Sequence, residues 1–144
     1  MWYGQFFHTL DNKERIILPA KLRDKIKNLK KKKFFLTRGL DNCLFLFDQA
    51  RWEQVEQKLN EIPFTKKESR AFNRLLFSGA QEIDLDTQGR ITLPGYLKEV
   101  AKIERDVVIV GVGDRIEIWA KNVWAMFCDG SQDKFEEIAE NLFE

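Results

Sequence analysis

The stretch LDNKERIILP, Leu10 to Pro19, returns 75 residues later as LDTQGRITLP, Leu85 to Pro94. A repeat at fixed spacing constrains a fold more than any single propensity, because each copy must be completed by the other or by a neighbour. The match runs past the turn. Leu22 aligns with Leu97, and Arg23-Asp24 with Lys98-Glu99. Phe34 to Phe47 (FFLTRGLDNCLFLF) corresponds to Val107 to Trp119 (VVIVGVGDRIEIW), and Trp52 falls where Trp124 does.

Both copies predict the same order of elements, β-turn-β-α-β-turn-β. An alternating segment, Phe7 to Leu10 or Glu82 to Leu85, runs into the Asp turn. The β-branched residues of Ile16-Ile17 and Ile91-Thr92 favour a second strand. Pro19 or Pro94 then opens a short helix, where its missing N–H costs nothing. Leu22 with Ile26, and Leu97 with Ala101, mark the buried side of that helix. Two further strands close each unit, joined by Gly39, Asp41 and Asn42 in one and by Gly111, Gly113 and Asp114 in the other, all read as turn residues.

The rest of the chain reads as helical. Asp48 can cap a helix with Trp52, Val55, Leu59 and Ile62 along one side. Thr65 and Glu68 have the spacing of a capping box for a second helix, which Gly79 ends. Phe72, Leu75 and Leu76 line one side of it, with Lys66, Lys67, Arg70 and Arg74 opposite. Phe135, Ile138, Ala139, Leu142 and Phe143 form a stripe on an acidic tail helix, suited to core packing or to a subunit contact. The segments are then residues 5–47 (first repeat), 48–79 (helical insert), 80–124 (second repeat) and 125–144 (acidic C-terminal helix). A unit of about 45 residues is marginal alone and leaves strand edges that need a partner. Two units interleaved about a pseudo-twofold axis into one closed barrel would meet both needs. The expected class is mainly β with short helices (α+β).

Composition narrows the function. The chain has one His and two Cys, Cys43 and Cys128, with no metal-ligand spacing. No apolar run approaches the roughly 20 residues of a membrane span. No Gly-rich phosphate loop is present, and Asp86-Thr87 lacks the Gly that an aspartic-protease loop requires next, since Gln88 stands there. These features point away from an enzyme, a cofactor, a metal, a small-molecule substrate or a membrane, and towards a cytoplasmic setting. Net charge is only +1, yet residues 1–40 hold eleven Lys or Arg against three Asp or Glu. The KIKNLKKKK run, Lys25 to Lys33, suits either a solvated connection or phosphate contact.

The repeated turn has a mechanical reading. Asp11 or Asp86 can accept N–H bonds from the backbone that follows it. Gly89 permits a positive φ. Arg15 or Arg90 then leaves a rigid turn in a defined direction, either paired with its Asp or pointing outward. Glu14 stands where the second copy has Gly89, so the first turn is strained, differently shaped or stabilised from elsewhere.

These residues, with the Met-aromatic-x-Gly start (Met1 to Gly4) and Arg74 to Ala80 (RLLFSGA), resemble the MraZ family, relatives of the AbrB-type regulators. The resemblance reaches to about Phe127. It implies a duplicated AbrB-like barrel built from swapped hairpins, and a ring-shaped homo-oligomer, with an octamer favoured. It also implies sequence-specific binding of double-stranded DNA at repeated promoter boxes upstream of a cell-division and cell-wall gene cluster that includes the protein's own gene, hence nucleoid association. Matched residue by residue, it places DNA-facing side chains at Arg15 and, by pseudo-symmetry, Arg90. Lys13, Lys21 and Arg23 lie near Arg15 in sequence and suit phosphate contact; Asp11, Asp86 and Gly89 shape the turns. The rival expectation is an oligomeric protein-interaction ring without DNA readout.

Overall fold

The computed structural model describes residues 1–26 and 33–143, so most of the KIKNLKKKK run lies outside the described residues. The first unit supplies β1 (Trp2–Thr9), β2 (Arg15–Ile17), β3 (Lys33–Arg38) and β4 (Leu44–Asp48). The second supplies β5 (Gln81–Asp84), β6 (Arg90–Thr92), β7 (Asp106–Gly113) and β8 (Ile116–Ala120). Six strands form an antiparallel sheet in the order β1-β7-β8-β4-β3-β5, while β2 and β6 pair in a separate two-stranded ribbon. Exchanging every strand for its counterpart in the other unit simply reverses that order. The first strand of each unit is paired with the third strand of the other: β1 with β7, and β5 with β3.

The expected closed barrel does not form. β1 and β5 lie at opposite edges of an open sheet, with no ladder between them. The cause lies at the Asp turns. After each turn the chain does not fold back along β1 or β5; it leaves to pair three residues with the equivalent three of the other unit. The ribbon closes the interior through side chains instead of backbone bonds.

Strand alternation sends one set of side chains to each face of the sheet. On the inner face, Phe34, Leu36, Leu44, Leu46, Ile109, Ile116 and Ile118 join Ile16 and Ile91 from the ribbon in one buried cluster. Leu22 from α1 (Ala20–Arg23) and Leu97 from α4 (Gly95–Val100) complete it. The outer face carries Val108, Val110 and Trp119, with Cys43 beside them. Helices α2 (Gln49–Asn60), α3 (Lys67–Gly79) and α5 (Lys121–Ser131) complete the insert and open the tail. Trp52 of α2 stacks on Phe35 at 5.5 Å between ring centroids, and Trp124 of α5 meets Trp119 edge-on at 5.2 Å. The aligned tryptophans thus do the same task in both units.

Several local readings need correction. The capping box does not form: Pro63 to Lys66 makes a turn, closed by the Lys66 amide on the Pro63 carbonyl, and α3 begins at Lys67 with no side-chain cap. Arg70 holds the free Phe64 and Thr65 carbonyls instead. Gly111 is no turn residue. It lies in β7 opposite Gly4, and a Cβ there would sit 2.3 Å from the Tyr3 amide nitrogen, so the two strands cross too closely for a side chain. Asp48 caps α2 as expected, accepting from the Arg51 amide at 2.9 Å. The tail helix α6 (Phe135–Leu142) follows a 3-10 turn, Gln132–Lys134, and buries none of its residues, so its apolar stripe is not part of the core.

Because Ile91 is fully buried where the ribbon meets the sheet, truncation should leave a cavity shared by both units. Ile91→Ala is expected to cost about 2–5 kcal/mol, read as a lowered guanidinium midpoint in a single cooperative transition.

Candidate nucleic-acid interface

The two Asp turns have almost the same construction. Asp11 Oδ1 accepts from the amides of Lys13 and Arg15, both at 2.9 Å, and Asp86 Oδ1 accepts from those of Gln88 and Arg90, both at 2.9 Å. The other carboxylate oxygen accepts from the arginine Nε, at 2.8 Å from Arg15 and 2.7 Å from Arg90. The backbone closes each turn with the Asp11 amide on the Arg15 carbonyl and the Asp86 amide on the Arg90 carbonyl, at 2.9 and 3.2 Å. One carboxylate therefore fixes both the turn and the direction of its arginine.

These contacts set the carboxyl acidities. At Asp11 partial desolvation opposes ionisation, but the Arg15 amide, the Arg15 guanidinium and the Lys13 amide outweigh it and hold the carboxyl below the usual range. At Asp86 the Arg90 amide leads the same downward shift, helped by the Arg90 guanidinium and the Gln88 amide against desolvation.

Glu14 adopts the left-handed conformation of its counterpart, with φ of 60° against 78° at Gly89. The turn keeps its shape and is stabilised from the opposite unit. Lys98 of α4 forms an ion pair with the Glu14 carboxylate, and the Glu14 carbonyl accepts from the Leu93 amide at 2.9 Å. The mirror contact is present on the other side. Arg23 of α1 donates from Nη1 to the Gln88 carbonyl at 3.3 Å, and the Leu18 amide donates to the Gly89 carbonyl at 2.8 Å. Each unit's short helix thus braces the other unit's turn.

The ribbon register pairs Arg15 with Thr92, Ile16 with Ile91 and Ile17 with Arg90. Ile16 and Ile91 face the core, so Arg15, Ile17, Arg90 and Thr92 share the outward face. Arg15 and Arg90 are diagonal neighbours there, with backbones about 7–8 Å apart. Both side chains are part-exposed, at 23% and 25%. Because each spends Nε on its aspartate, the terminal Nη1 and Nη2 atoms have no hydrogen-bond partner among the described residues. Lys13 and Lys21 are exposed, and Arg23 is turned towards the Asp86 turn.

The family model described as "MraZ protein, putative antitoxin-like" matches residues 1–75 and again 76–144. The chain belongs to the MraZ family. Similar proteins include three named transcriptional regulator MraZ. That of Syntrophomonas wolfei is 50% identical over 99% of this chain and 96% of its own length. Those of Caldanaerobacter subterraneus and Carboxydothermus hydrogenoformans are 49% and 46% identical over the same shares.

Within this MraZ chain, sequence reasoning missed Lys98 and Thr92. Lys98 carried a signal, since it aligns with Arg23 and both proved to be braces. Thr92 and Ile17 carried none, because only the cross-unit register places them beside the arginines. Among the described residues no group of His, Cys, Asp and Glu could hold a metal ion. No helix there is long and apolar enough to cross a membrane. Cys43 is fully buried, and burial pushes its thiol well above the usual range.

Three outcomes are expected. Gly89→Ala should destabilise by more than about 1 kcal/mol, because φ is positive and the new Cβ would meet Arg23 Cδ at 2.3 Å. Glu14→Gly should be neutral or stabilising, since relief of the left-handed strain is set against one exposed ion pair of about 0–1 kcal/mol. Thermal melts check both. The third outcome concerns pH. Asp11 and Asp86 titrate lower in the folded chain than in the unfolded one, so the folded chain binds fewer protons. Their stabilisation is present above about pH 4 and lost as pH falls through the depressed folded values. Asp11→Asn/Asp86→Asn should melt lower at pH 7 and show a shallower acid limb than the wild type.

Proposed function

We propose that this protein is a DNA-binding transcriptional regulator, not an enzyme, which reads promoter DNA through the outward face of the β2–β6 ribbon. The observation that carries this reading is the pair of arginines on that face, each aimed by its own aspartate with two terminal nitrogens unspent. A guanidinium in that state can bridge guanine O6 and N7, or grip a phosphate. Pre-orientation matters because the ordering cost is met on folding instead of on binding. The names of the similar proteins support the same reading.

Arg15 makes the principal base contact and Arg90 the lesser one, because the first unit has Lys13 where the second has Gln88, and Lys21 where the second has Tyr96. Lys13 and Lys21 position the protein on phosphate. Any phosphate contact by Arg23 falls beside Arg90, where its side chain lies. In this reading residues 5–47 and 80–124 are two AbrB-like repeats, joined by the insert 48–79 and followed by the tail 125–144. The protein works in the cytoplasm, on the nucleoid. It acts on repeated boxes upstream of a cell-division and cell-wall gene cluster that includes its own gene, as a ring with eight copies favoured. A chain of net charge +1 binds one box weakly, and a ring on repeated boxes gains affinity through multivalency.

The exposed apolar residues of the tail favour a second reading, a protein-interaction ring that does not touch DNA. A mobility-shift assay with the DNA upstream of its own gene separates the two. Operator affinity should exceed that for a scrambled duplex and fall steeply as salt rises, through counterion release. Arg15→Ala should abolish specific binding while leaving the oligomer intact, with Arg90→Ala less severe. Full operator affinity in the Arg15 variant would refute the assignment; no duplex affinity at any salt would favour the scaffold.

A further inference from the structure

Two surfaces outside the ribbon are left incomplete by the chain itself. The first is a half-open groove of about 460 Å³ between the α2–α3 insert and the β3–β4 turn. Its floor and walls are apolar, including Phe45, Leu59, Phe72 and Leu75, and Arg38, Arg51 and Arg115 stand around it. Leu40 and Leu75 on its lip are 61% and 55% exposed. Arg115 is occupied by Asp114 and Glu117, and Arg51 by Asp114 and Gln54, whereas Arg38 has no side-chain partner among the described residues. The three arginines outnumber the two lining aspartates, Asp41 and Asp114.

The second surface is α6. Phe135, Ile138 and Leu142 recur every three or four residues, and with Phe143 beyond them they form one stripe; all four are exposed, and Leu142 and Phe143 are 73% and 86% so. Glu136, Glu137 and Glu140 occupy the flank and back of the same helix. Its main packing partner in the chain is the 3-10 turn before it. An isolated helix of eight residues is marginal in water and depends on a packed apolar face.

We infer that the groove between the insert and the β3–β4 turn of one copy receives the α6 helix of another. The match is of shape and of charge. A helix of eight residues is about 12 Å long, and it would seat its apolar stripe in the groove while its glutamates meet Arg38 at the rim. The contact is heterologous, since tail and groove are different surfaces, and such contacts repeat head to tail into closed rings or open chains. The inference rests on the proposed assembly in many copies and names the surfaces that build it.

The test uses two full-length variants, with substitutions at three exposed positions and at the half-buried Arg38. Ile138→Glu/Leu142→Glu spoils the tail and keeps the groove; Leu75→Glu/Arg38→Glu spoils the groove and keeps the tail. Light scattering after gel filtration gives the mass, and unchanged melting temperatures show that each variant is folded. Each alone should lose the wild-type mass. Mixed in equal amounts they should form a complex of two chains and no more, because one intact tail and one intact groove remain. The inference is overturned if either variant keeps the wild-type mass, or if the mixture stays monomeric, as it would were the tail to fold back on its own chain. A monomeric wild type would overturn the proposed assembly as well, whereas wild-type mass in both variants would overturn the tail-in-groove contact alone.

Discussion

Four backbone pairings run from one half of the chain to the other, and neither half is complete without them. β1 needs β7, β5 needs β3, β4 lies against β8, and the three residues of β2 need the three of β6. A two-stranded ribbon of this length has little stability of its own in water. It persists because Ile16 and Ile91 drive it onto the inner face of the sheet, where both are fully buried. The ribbon is therefore a product of the global fold, and the arginines it carries are only as well placed as the packing beneath them.

On that support the Asp turns act as aiming devices. Each carboxylate takes two backbone N–H bonds on one oxygen and the arginine Nε on the other, so turn shape and guanidinium direction are set by one group. The arrangement lowers the local positive charge that would draw DNA from a distance, and leaves free the two nitrogens that can discriminate a base. In the proposed reading attraction falls to exposed lysines such as Lys13 and Lys21. Division of labour between distant attraction and close reading is ordinary in protein–DNA contacts, where phosphate contacts position and base contacts specify. The cross-braces, Arg23 on the Gln88 carbonyl and Lys98 on Glu14, keep the two turns in register with each other.

Much of this was legible in the sequence. The repeat of Leu10 to Pro19 at Leu85 to Pro94 gave the element order and the turns, and the need to complete half-units implied strand exchange. The alignment of Glu14 with Gly89 marks a turn that needs outside support, and Lys98, 84 residues away, supplies it. The open sheet was not legible, because local pattern shows that β2 follows β1 but not whether it returns along β1 or leaves for β6. The capping box failed for a similar reason: Thr65 and Glu68 have the right spacing, but Pro63 sets the turn and delays the helix by enough to defeat it. Gly111 looked like turn chemistry and proved to mark a close crossing of backbones, which only the β1–β7 register reveals. The groove beside α3 is built from both units and could not be read from either.

The central claim is that an aspartate-aimed Arg15 meets the edge of a guanine. It is tested most directly by replacing single guanines of the operator with 7-deazaguanine, which removes N7 alone, and measuring affinity for the wild type and for Arg15→Ala. At one position or more the wild type should lose roughly 1–3 kcal/mol of binding, while the variant loses nothing further at that same position. Equal losses in both proteins, or no loss at any guanine, would contradict it.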